Sequence, residues 1–164
     1  MTTNEPFKFI SQRHYEALGD VIVPHVQSIL KEEFKLKTQT VTQWGADGVG
    51  NNIFLSNDAL SNTDTLLVLV QGSGAVRAGQ WARAVCINDS LAIGTILPYL
   101  TKARDRNWGA YRPSVTCATG VMIPGNETGR DHTLYVWDNF ISRAAAKSIL
   151  FVSHSAGGDC TLNL

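Results

Sequence analysis

Charge in excess of either sign is the first thing this sequence lacks: Lys and Arg number 14, and Asp and Glu number 14. A protein that grips nucleic acid through its phosphates carries a basic excess or a basic stripe. Here Lys31, Lys35 and Lys37 are interleaved with Glu32 and Glu33. Direct RNA binding by the chain alone is therefore not expected, and any RNA association should be indirect. Long apolar runs are missing too. The longest, Leu66 to Val70, falls far short of the ~20 residues a membrane helix needs. Met1 to Ser11 lacks the apolar stretch of a signal peptide, so no membrane association is expected. Cysteine is scarce. Cys86, Cys117 and Cys160 are odd in number and lack metal-ligand spacing, the pattern of reduced thiols in an intracellular protein. No metal and no cofactor are expected. Without a secretion signal, the sequons at Asn88 and Asn126 read as chance.

What is present is a chain of 164 residues, 44% hydrophobic, with a mean hydropathy near zero. That is enough for one domain with a substantial core. From Arg13 to Leu36, Tyr15, Leu18, Ile22, Val26, Ile29 and Leu30 recur at spacings of three and four, one face of a helix. Pro24 is expected to kink or split it. Thr38 to Trp44 and Asn52 to Ser56 read as strands around a turn at Gly45 to Gly48. Thr65 to Val70 is continuously apolar at its heart, as a strand buried on both faces must be. Helical patterns follow at Gly79 to Val85 and Thr95 to Arg106, then an apolar run at Gly120 to Ile123. From His132 to Lys147, Leu134, Trp137, Ile141 and Ala144 form a helical stripe. A last strand, Ser148 to Val152, follows. Buried strands alternating with helices predict an α/β fold with a mainly parallel sheet and flanking helices.

Two glycine-flanked turns carry the chemistry this pattern allows. Ser153-His154-Ser155-Ala156-Gly157 follows an apolar strand, the context of a nucleophile elbow with Ser155 at its apex. Ser153 stands where the elbow usually has its first glycine. Ala156 would supply one oxyanion-hole amide, and Gly72, Ser73 and Gly74, after the strongest strand, would supply another. The same loop fails as a nucleotide site: Arg77 replaces the third glycine of a dinucleotide fingerprint, and Gln80 and Trp81 stand where a phosphate loop needs Lys and Ser or Thr. A catalytic acid and histidine should follow the serine in chain order. Asp159 follows, but no histidine does. His14, His25 and His132 precede the elbow, and His154 adjoins the serine with its side chain expected to point away. A serine without a base is a weak nucleophile. Trp81 and Trp137 fit core or interface aromatics, and Arg77 and Arg83 fit local ion pairs or an acidic partner.

Phe54 to Asn62, Leu66 to Val70 and the run Gly72 to Arg83, with Arg-Ala-Gly-Gln-Trp-Ala-Arg at its end, resemble the Argonaute-binding-protein-two domain family. Tyr15 to Gly19, Ile87 to Asp89, Tyr135 to Asp138 and His154 to Gly158 extend the likeness in one order along almost the whole chain. The resemblance implies an α/β-hydrolase-like fold, with residues 1–164 as the N-terminal portion of one such domain, truncated after its nucleophile elbow. It also implies a nuclear protein, with some cytoplasmic presence allowed. The expected function is that of a noncatalytic interaction protein in heterochromatin formation linked to small RNA, or in cotranscriptional and splicing regulation. Argonaute, chromatin or splicing proteins are the implied partners, and Ser155 is an unused nucleophile. Gln71 stands where animal relatives have histidine, and Trp108 to Ala118 departs from the family pattern. The alternatives are a serine hydrolase using Ser155 in a longer form, and a nonfunctional fragment whose Ser148–Val152 strand is a bare apolar edge.

Overall fold

The computed structural model describes residues 7–44, 49–74, 76–113 and 126–164. Helix α1 spans Gln12–Glu32, and the Ser11 side chain caps it by accepting from the His14 amide at 3.2 Å. Gly19, Val26 and Leu30, seven and four residues apart, form its buried face. The expected break at Pro24 does not split the helix, which continues for two turns beyond it. Pro24 lies on the exposed side, where its missing amide costs one hydrogen bond while the buried face still anchors both halves.

Five strands form one sheet in the order β1-β2-β4-β3-β5. They are β1, Lys37–Trp44; β2, Val49–Leu55; β3, Thr65–Val70; β4, Gly109–Pro113; and β5, Ser148–Ser153. β1 pairs with β2, and β2 with β4, antiparallel; β3 pairs in parallel with β4 and β5. Four strands therefore share one direction and β2 opposes them. The sheet is mostly parallel rather than wholly so. Sequence patterning misses β4, because only five residues of it pair and one is Pro113. The expected strand at Gly120 to Ile123 and the turn at Gly45 to Gly48 lie outside the described residues, as does Cys117.

The two faces of β3 explain its unbroken apolar run. Leu67 and Leu69 join one core with Leu30, Trp81, Ile96 and Leu100. Leu66, Val68 and Val70 join the other with Tyr111, Val136 and Ile141. Side chains alternate across a strand, so both faces must be apolar when helices cover both. Helices α2 (Arg83–Asn88), α3 (Leu91–Gly94) and α4 (Leu97–Asp105) follow β3, and α5 (Gly129–Asn139) supplies Val136 to the opposite core. The single helix expected over His132 to Lys147 is instead α5 followed by a 3-10 turn at Ile141–Arg143. Thr128 starts α5 with a reciprocal capping box to Asp131. Leu134 is largely exposed, and the buried face of α5 is His132, Thr133 and Val136.

The helical pattern expected over Gly79 to Val85 is helix only from Arg83 onward. Gly79 has φ of +101°, outside the right-handed helical region, so the helix starts only at Arg83. Ile96 donates back to the Gly79 carbonyl at 3.0 Å, and Trp81 to the Gly94 carbonyl at 2.8 Å. A Cβ on Gly79 would collide with Val26 of α1. Gly79→Ala should therefore cost about 3 kcal/mol, combining backbone strain with overpacking. Urea denaturation measures this; an unchanged midpoint would show that the segment does not pack tightly on α1.

Candidate functional site

β5 leads into α6 (Ala156–Leu162) through a single sharp turn. At its apex Ser155 has φ of 54° and ψ of −130°, a conformation that side chains other than glycine seldom adopt. Strain of this kind marks a nucleophile elbow. The His154 amide donates to the Val70 carbonyl at 3.0 Å, tying the turn to the end of β3. A Cβ on Gly157 would lie 2.5 Å from the Gln71 carbonyl oxygen and 2.6 Å from that of Val70. Only glycine lets α6 leave at this angle. Ser153, in the place of the usual first glycine, shares a 2.7 Å hydrogen bond with Thr161, whose hydroxyl also donates to the Gly157 carbonyl at 2.8 Å. Thr161 escapes sequence reasoning because its partner lies eight residues back, across the turn.

The loop after β3 and the elbow meet at one end of the sheet. A Cβ on Gly72 would fall 3.0 Å from Ser155 Cβ and 3.4 Å from its Oγ. Gly72, Ser73 and Ala156 line a cavity of about 290 Å³, and Gly74 and Ser155 are not part of its lining. Its far wall is the start of α5, with Thr128 and Arg130. Asp159 and Cys160 of α6 complete it. Sequence spacing does not point to Thr128, Arg130 or Cys160, because only the packing of α5 on α6 brings them here. Cys86 and Cys160 are free and buried, and burial raises both thiol pKa values. They stay protonated and unreactive at neutral pH. Among the described residues no cluster of His, Cys, Asp or Glu is placed to hold a metal ion, and no helix is long and apolar enough to cross a membrane.

The Arb2 domain family model matches residues 105–164, which include β4, α5, β5 and the elbow. The "Cotranscriptional regulator ARB2A homolog" of Gallus gallus is 34% identical over 95% of this chain and 53% of its own length. The chain is similar to the Arb2 domain family at residues 105–164 and to proteins named as cotranscriptional regulators over most of its length. It spans about half the length of the curated relatives it matches. More distantly, the histone deacetylase clr3 of Schizosaccharomyces pombe is 26% identical over 85% of this chain and 21% of that protein. A solved histone deacetylase from Saccharomyces cerevisiae superposes with a TM-score of 0.53 at 18% identity, covering 87% of this chain and 59% of that one. That likeness is one of fold.

In this chain the histidines are engaged elsewhere. His14 stacks on Phe7, His25 is exposed on α1, and the His154 ring packs 6.0 Å from that of Trp81. His132 is fully buried on α5, its Nδ1 2.6 Å from Asn126 Oδ1 and its Nε2 without a hydrogen-bond partner. No hydrogen bond joins any of them to Ser155 Oγ among the described residues. Burial pushes the His132 pKa from 6.5 down to about 4. The unfolded chain then binds a proton near pH 6.5 that the folded chain refuses until about pH 4. Stability is thus complete above pH 6.5 and falls across that window by about 3 kcal/mol. Urea melts should show this acid loss in the native chain and a correspondingly smaller one in His132→Gln; parallel pH profiles would place His132 in a hydrated site.

The elbow yields a second expectation. Gly157→Ala should cost about 3 kcal/mol or prevent folding, through backbone collision. Gly158→Ala, with open space around the new methyl group, should be neutral or gain up to about 1 kcal/mol from helix propensity. Thermal melts of the two variants should differ widely. Equal melts would mean that α6 does not press on the end of β3.

Proposed function

We propose that this chain is a noncatalytic interaction module of cotranscriptional regulation, acting on chromatin in the nucleus. The observation that carries this is its 34% identity, over 95% of its length, to a protein named as a cotranscriptional regulator. The distant relationship to a histone deacetylase supports a chromatin setting. Residues 1–164 form the N-terminal portion of an α/β-hydrolase-like domain. Support for that frame comes from the strand–turn–helix at Ser155 and its contact with the loop after β3. The partners are chromatin proteins, with Argonaute and splicing proteins as the finer assignment from the resemblance, and any RNA is bound through them. Gly72, Ser73, Gly74 and Ala156 retain an oxyanion-hole-like arrangement that shapes a surface rather than a reaction centre.

The absence of reaction follows from Ser155. Its hydroxyl has no hydrogen-bonded base among the described residues, and a serine without one stays protonated at neutral pH. The strained backbone at Ser155 favours one rival, a serine hydrolase. A fluorophosphonate probe separates the two. The purified chain should label no faster than its Ser155→Ala variant, and the chain expressed in cells should be recovered with chromatin proteins. Labelling confined to Ser155 would establish the hydrolase instead, and a chain absent from chromatin fractions would remove the regulatory assignment.

A further inference from the structure

Trp81 and the helices α3 and α4 enclose an open groove of about 410 Å³ that shares no residue with the cavity at the elbow. Its floor is the buried Trp81, whose ring meets the Tyr99 ring edge-on, 5.7 Å away at 84°. Thr95 and Pro98 lie in the wall. Ile93 and Tyr99 stand at the rim, 62% and 39% exposed.

The groove is built before anything enters it. The Trp81 amide donates to the Gly94 carbonyl at 2.8 Å, and the neighbouring Gln80 and Thr95 form an antiparallel bridge. The Leu97 amide donates to Thr95 Oγ1 at 3.3 Å, which fixes the start of α4 against that bridge. A concavity held in this way binds without the cost of ordering its own wall. Lys102 lies one turn after Tyr99 on the same face of α4. It is the one charged side chain in the described lining, and no hydrogen bond or ion pair engages it among the described residues.

We propose that this groove docks an acidic amphipathic peptide segment of a partner protein, a large apolar side chain packing on Trp81 and an Asp or Glu meeting Lys102. The lining holds a cation and no carboxylate, so an acidic flank is attracted and a basic one repelled. Ile93 and Tyr99 extend the apolar surface past the cavity, and a peptide covers what a small molecule inside it would leave wet. Trp and Tyr are the anchors that such interfaces favour. The assignment rests on the interaction role proposed above and gives that role a surface separate from the elbow.

Selection of a displayed library of random peptides on the full chain, followed by anisotropy titration of the enriched peptides, tests the groove. Enriched peptides should carry a large apolar residue within one helical turn of Asp or Glu. Ile93→Ser, an exposed substitution that leaves the core alone, should weaken their binding about tenfold, and Lys102→Glu at least as much. The same peptides with lysine in place of their acids should bind Lys102→Glu more tightly than the native chain. Arg130→Gln, at the elbow cavity, should change nothing. Failure to enrich any peptide, enrichment of peptides without acids, or unaltered affinity in Ile93→Ser and Lys102→Glu would overturn the proposal. Dimerisation abolished by Ile93→Ser would overturn it in favour of a second copy of the chain. Recovery of Lys102→Glu with chromatin proteins at the native level would remove the groove from the interaction role and leave that role standing. A native chain that selects such peptides yet is absent from chromatin would overturn the role alone.

Discussion

The close approach of the β5–α6 turn to the last carbonyls of β3 organises this end of the molecule. Gly157 lies against the Val70 and Gln71 carbonyls, and the His154 amide bonds to that of Val70. This contact fixes where α6 begins, places Ser155 beside Gly72, and holds Ser155 in a strained conformation. Strain of about 1–3 kcal/mol persists only when surrounding contacts leave the backbone no alternative. Here the surrounding contacts are two flanking carbonyl groups, the parallel pairing of β5 with β3 over six residues, and the Ser153–Thr161 hydroxyl pair.

The same frame keeps the described histidines away from Ser155. A nucleophilic serine needs an acceptor for its proton. The chain's buried histidine is committed to Asn126 and held neutral by burial, and His154 lies over Trp81. What remains at the sheet end is a small cavity with amides and hydroxyls in its wall, bounded by the capped start of α5.

β5 is the outer strand of the described sheet, with Leu150 largely exposed on it. It carries no charge, proline or bulge of the kind that protects an edge from further pairing. Two of the cavities sit on different surroundings, one at the elbow and one between α1 and the Arg77–Arg83 segment. The Arg77–Arg83 run at the second is legible as architecture: Gly79 seats the chain on Val26, Trp81 fills the core and Arg83 caps Tyr15.

Local sequence determined what depends on short-range pattern. The apolar run of β3, the periodic face of α1, the strand before Ser155 and the small residues after it each specify their element without help from distant residues. The elbow was legible because its steric demand for glycine at position 157 is local. Tertiary structure decided the rest. It set β4 between β2 and β3, although five residues ending in proline carry little pattern of their own. It turned Gly79 to Trp81 out of a helical spacing, because one positive φ outweighs periodicity. It buried His132 in place of Leu134, because the sheet on which α5 packs, not the helix's own stripe, selects the inward face. It also brought Arg77 and Arg83 to one cavity, since proximity to α1 is a property of packing across more than fifty residues of chain, which no local pattern encodes.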